Sequence, residues 1–134
     1  MGFIEWNDKA IVNHITMDKE HKRMVDDTNK LHTFVTSNKN EKANKLLLKI
    51  VEELKIHFDN EDEYMRKSKI PQYISHKLEH ERFYNKIRDI LLKINSGKET
   101  LSLDHLKIVK IWFYNHVEFK DRNLANFLNE NQIK

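Results

Sequence analysis

Apolar side chains recur along this chain three and four residues apart, in four stripes separated by short polar stretches. The first runs Met24, Val25, Thr28, Leu31 and Val35, with Thr16 or Asp18 placed to cap its start. After the stretch SNKN the second runs Ala43, Leu47, Ile50, Leu54, Phe58 and Met65. Pro71 suits the first turn of a third helix, whose stripe is Tyr73, Phe83, Ile87, Ile90, Leu91 and Ile94, ending at the NSG of residues 95–97. A fourth starts from Ser102 with Leu103, Leu106, Val109, Trp112 and Phe113. The period of 3.6 predicts helices over about 18–37, 41–66, 71–95 and 102–118, preceded by a non-periodic arm (1–16) and followed by a short tail helix over about 121–130. Short connections make neighbours antiparallel, so the expected fold is all-α, an up-down-up-down four-helix bundle forming one domain over residues 1–134.

Composition narrows the function more than the fold. The 24 basic and 21 acidic residues leave a net charge of +3, but they are interleaved, and a phosphate-binding footprint needs clustered charge. No nucleic-acid partner is therefore expected. The chain has no cysteine, which excludes disulfides, thiolate zinc sites and iron–sulfur clusters. No apolar run approaches 18 residues, and the start MGFIEWNDKA lacks the regions of a signal peptide. The expectation is a cytoplasmic protein without a membrane partner.

The stripes also carry polar residues that are costly to bury unless paired or bound to metal. His21 lies on the first, His57 and Glu61 continue the second, His76 and His80 sit in the third, and His116 extends the fourth. They fall near the starts of helices one and three and the ends of two and four, which meet at one end of an up-down-up-down bundle. Both i, i+4 pairs, His57 with Glu61 and His76 with His80, turn by only about 40° and can reach one ion. His116 and Asp121 are five residues apart, about 140° on an ideal helix, so both can serve one site only if the helix ends or bulges between them.

The stretch HKLEH at 76–80 also fits the H-x-x-E-H pattern of a zinc hydrolase, with Glu79 as base. That reading leaves His21, His57, Glu61 and Asp121 without a role. Five imidazoles and two carboxylates exceed the needs of one tetrahedral zinc and suit two octahedral-type ions; without thiolate, the donor set suits iron. Di-iron bundles rich in carboxylates use Glu-x-x-His motifs, and none occurs in this chain.

Taken together, Trp6, Asp18 and His21 in MDKEHK, Asn29 with Leu31, HFDNE at 57–61 with Met65, Pro71, HKLEH, and WFYNHVEFKD at 112–121 make the chain resemble a single-domain bacterial hemerythrin. The resemblance implies that His76, His80 and His116 hold one iron and His21 and His57 the other. Glu61 and Asp121 would bridge them together with a solvent-derived oxo or hydroxo group. It also implies reversible dioxygen binding rather than enzymatic turnover, with an oxidase, a peroxidase or an oxygen or iron sensor as alternative uses of the same centre.

Trp112 and Phe113 are the candidate lining of the dioxygen pocket. The chain departs from the family pattern at Glu20, where glutamine is usual, and at Phe113, where an aliphatic residue is usual. Glu79, about 100° from His80, is expected to face outward. His14, His32 and His105 match no ligand position and are expected at the surface or in local hydrogen bonds.

Overall fold

A computed structural model describes residues 2–8 and 10–131; the ends of the expected 1–134 span, and residue 9 of the arm, lie outside the described residues. The chain forms α1 (Ile15–Thr36), α2 (Asn40–Ser68), α3 (Tyr73–Asn95), α4 (Leu103–His116), a π-helical turn (Val117–Asp121) and α5 (Arg122–Glu130). The four long helices make the expected bundle, with α2 packed between α1 and α3, and α4 returning against α1. No described helix is long and apolar enough to cross a membrane.

Helix bodies follow the apolar period, and their ends depart from the sequence expectation for local reasons. α1 starts at Ile15 because His14, not Thr16 or Asp18, caps it: its ring accepts the Met17 backbone N–H. Asp18 instead accepts the Val12 N–H at 2.8 Å, tying the arm to the helix. α2 ends at Lys69 in the left-handed region (φ 57°), and Pro71 lies in the following turn, ahead of α3 rather than within it. At α4 the Ser102 N–H donates to His105 Nδ1, half of a capping box in which histidine takes the usual Glu or Gln place.

The arm carries no period yet is part of the core. Ile4, Ala10 and Val12 are buried with Met17, Val25, Met65, Phe113, Val117 and Leu124. Each large aliphatic group contributes roughly 1.5–3 kcal/mol by leaving water. Asn29 fixes the arm by accepting the Ile4 N–H at 2.7 Å and donating to the Ile4 carbonyl at 2.9 Å. Arg122 donates to the carbonyls of Ile11 and Asp8. A second cluster, centred on Leu47, Leu54, Phe58, Phe83, Ile87 and Leu106, fills the rest of the bundle.

Candidate metal centre

α1 supplies His21, α2 His57 and Glu61, α3 His76 and His80, and α4 His116, all buried. Asp121 joins them because the chain does not end after His116. The Arg122 N–H bonds to the Val117 carbonyl five residues back, and this widened turn rotates Asp121 onto the His116 face. The expected tail helix is α5, joined to α4 through this π turn.

Two groups share the two carboxylates: Glu61, His76, His80, His116 and Asp121 in one, and His21, His57, Glu61 and Asp121 in the other. Glu61 divides its oxygens between them, Oε1 lying 3.1 Å from His80 Nε2 and 3.5 Å from His76 Nε2, and Oε2 lying 2.9 Å from His57 Nε2. Asp121 does the same, with Oδ1 at 2.9 Å from His116 Nε2 and 3.0 Å from His76 Nε2, and Oδ2 at 2.9 Å from His21 Nε2. The Nε2 atoms of His76 and His80 lie 3.1 and 3.0 Å from that of His116.

These donors converge rather than pair. Among the described residues, the buried side-chain atoms without a hydrogen-bond partner are His21 Nδ1 and Nε2, both oxygens of Glu61 and Asp121 Oδ1, all from this cluster. Close as His21 Nε2 and Asp121 are, their directions do not make a hydrogen bond. Donors about 2.1 Å from a common ion stand about 3.0 Å apart at right angles and about 3.4 Å apart at tetrahedral angles. Most separations around the three-histidine group match the right-angle spacing, which fits octahedral-type ions.

Three outer carboxylates settle the tautomers. His57 Nδ1 faces Glu20 at 2.6 Å, His80 Nδ1 faces Asp62 at 3.1 Å, and His116 Nδ1 faces Glu79 at 2.7 Å. A carboxylate accepts, so each Nδ1 donates and a neutral ring turns its Nε2 lone pair inward. With both rings neutral, His80 and His116 would aim two lone pairs at each other across 3.0 Å, an arrangement that a cation, or a proton on His116, relieves. Glu79 is therefore not the outward-facing residue expected from the helical wheel; contact with His116 holds its carboxyl below the usual range. Glu20 likewise has a defined partner. Sequence reasoning misses Asp62, whose only signal is its place beside Glu61.

Without metal, protons take the place of cations. Burial alone would lower His21, but contacts with Asp121 and Glu61 raise it to about 9. The same opposition leaves His76 at about 9, with Asp121 the leading upward influence, and His57 at about 10, held by Glu61 and Glu20. Burial opposes charge on Glu61 and Asp121 too, yet the surrounding imidazoles hold both well below their ordinary range.

Trp112 stacks on His116, centroids 4.4 Å apart, with Phe83 on its other face at 3.8 Å. Phe113 meets His21 edge-on at 6.0 Å. Both aromatics line an apolar cavity of about 40 Å³ together with Leu31, Leu54, Phe83 and Leu106. The other histidines stay out of the cluster: His14 caps α1, His32 stacks on Phe3, and His105 contacts Ser102 and Glu99.

Residues 14–128 match the family model of the hemerythrin HHE cation-binding domain. The chain belongs to the hemerythrin family. Its relatives include the bacteriohemerythrin of Methylococcus capsulatus, 30% identical over 106 residues covering 78% of this chain and 80% of the relative. The bacteriohemerythrin of Stenotrophomonas maltophilia is 25% identical over 126 residues, covering 94% and 82%. The fold superposes on a wild-type hemerythrin crystal structure with a TM-score of 0.90 at 24% identity, over 94% of this chain and 98% of that one. A tyrosine variant of a hemerythrin gives 0.91 at 25% identity, over 96% and 98%. A hemerythrin domain implies a di-iron site, and among the described residues the groups able to hold metal are the two that share Glu61 and Asp121.

Proposed function

We propose that this chain is a non-haem di-iron protein that binds dioxygen reversibly, for storage, delivery or scavenging. The observation that carries the reading is the division of Glu61 and Asp121, each offering one oxygen to either histidine group. Carboxylates so placed can be shared between two ions. His76, His80 and His116 would hold one iron and His21 and His57 the other, with Glu61 and Asp121 available to both. As a ferrous pair, the irons supply the two electrons that dioxygen takes up on binding and returns on release.

The protein's part is to provide unequal places and keep them dry. One place has five protein donors and the other four, so an ion held by His21 and His57 would have more room for an external ligand. Met17, Met65, Phe113 and Val117 are buried in one apolar cluster, and Phe113 meets His21 edge-on, which keeps bulk water from that ring. A water needs about 10–15 Å³, so the cavity beside Trp112 and Phe113 can hold a small molecule, and its apolar lining suits dioxygen better than water.

Anaerobic titration with ferrous iron, followed by absorption spectra with and without oxygen, tests metal, stoichiometry and reversibility together. The expected result is two irons per chain and a colour that appears in oxygen and bleaches under argon. Binding of a single ion, or an oxygen-induced colour that argon never bleaches, would overturn the proposal.

A further inference from the structure

The outer carboxylates are not scattered. Glu20 precedes the ligand His21 on α1 but contacts His57 on α2; Asp62 follows the ligand Glu61 on α2 but contacts His80 on α3; Glu79 precedes the ligand His80 on α3 but contacts His116 on α4. Each is next in sequence to one inward-facing ligand and reaches a histidine on the next helix.

The offsets of −1, +1 and −1 have one geometric origin. A neighbouring residue is turned about 100° around its helix, and the sense of that turn, seen from one end of the bundle, reverses with helix direction. In an up-down-up-down bundle the alternating offsets therefore all point the same way round, from each helix to the next. The same rule assigns the fourth position, from α4 back to α1, to the residue after His116. That residue is Val117, buried and apolar, and the histidine it would serve, His21, has a buried Nδ1 without a hydrogen-bond partner.

We infer that Glu20, Asp62 and Glu79 are a rotary set of positioning carboxylates that lock their imidazoles for metal, and that the missing fourth member makes the ion of His21 and His57 the labile one of the pair. The inference rests on the two-ion reading above. A carboxylate on the outer nitrogen fixes ring orientation and raises its basicity, and losing such a partner typically weakens metal binding about 10–100-fold. The three-histidine ion has two locked imidazoles of three. Its neighbour has one of two and one protein donor fewer.

Cobalt(II), which reports its coordination by absorbance without redox change, is the probe. Wild-type protein should take up two ions in resolved steps, the first at least tenfold tighter. Glu79→Gln and Asp62→Asn should each weaken the first step about tenfold, Glu20→Gln the second, and Glu81→Gln, a carboxylate outside the set, neither. In iron-loaded protein Glu79→Gln should also raise the midpoint potential, by about 59 mV if a tenfold ferric preference is lost in a one-electron step.

Uptake of fewer than two cobalt ions would sink the two-ion reading itself. Two ions taken up with equal affinity, or variants whose affinities stay within twofold of wild type and whose potential moves by less than the corresponding value of about 18 mV while their circular dichroism is unchanged, would overturn this inference and leave that reading standing.

Discussion

Phe113 is where a single residue bears most directly on ligand exchange. Its ring is buried, meets His21 edge-on, and forms part of the wall of a cavity that none of the candidate ligands lines. Phe113→Leu removes ring atoms between cavity and site. The expected outcome is several-fold faster dioxygen dissociation in stopped-flow measurements, with a stability loss of about 1 kcal/mol. Unchanged rates with the same loss would make Phe113 a packing residue only. The residue scale is also where the sequence misled most. His21, His57 and Glu61 stand out as polar groups on apolar stripes, whereas Glu20, Asp62 and Glu79 are charged residues on flanking faces, where charge is ordinary. Their role depends on a neighbouring helix 18–37 residues away in sequence, which no single-helix wheel contains.

At the scale of elements, the arm is a structural part without a sequence period. Ile4, Ala10 and Val12 are buried in the cluster that backs the metal centre, and Asn29 holds Ile4 by two hydrogen bonds. Asn29→Ala leaves both backbone groups of Ile4 to water or to nothing. At about 0.5–1.5 kcal/mol per bond, it should lower unfolding free energy by about 1–3 kcal/mol in urea titrations. It should leave metal stoichiometry at its wild-type value, because the proposed ligands all lie on the helices and the π turn.

Helix bodies were legible because burying one face imposes a period of 3.6, visible from Leu31 through Leu106. The ends were not. Nothing local marks His14 rather than Thr16 as the cap, and Pro71 fits a preceding turn as well as a first helical turn. The π turn was readable only conditionally, from the five-residue step between His116 and Asp121.

For the whole molecule, four helices and a π turn meet at one buried cluster of charge, so metal, protons and folding are linked. His21, His57 and His76 lie at about 9, 10 and 9 when folded and near 6.5 when unfolded. A raised pKa gives stability that is fully present below pH 6.5 and lost as pH rises through 9 to 10. Glu61 and Asp121 are lowered from 4.5 and 3.8, so their contribution is present above those values and lost on acidification. The chelator-stripped protein should therefore melt highest between about pH 4.5 and 6.5 and lose stability steadily toward pH 10.

Metal reverses the alkaline limb. It replaces the protons on the same imidazoles, so its affinity rises as they leave, and an ion at 100 times its dissociation constant adds about 2.7 kcal/mol. Thermal melts of stripped and zinc-loaded protein at pH 6 and pH 9.5 check both signs. The stripped protein should fall between the two, and the gap opened by metal should be wider at pH 9.5. A stripped profile that stays flat from pH 6.5 to 10 would mean that the imidazoles are already neutral without metal. The carboxylates would then be balanced by something other than the protons assigned to His21, His57 and His76.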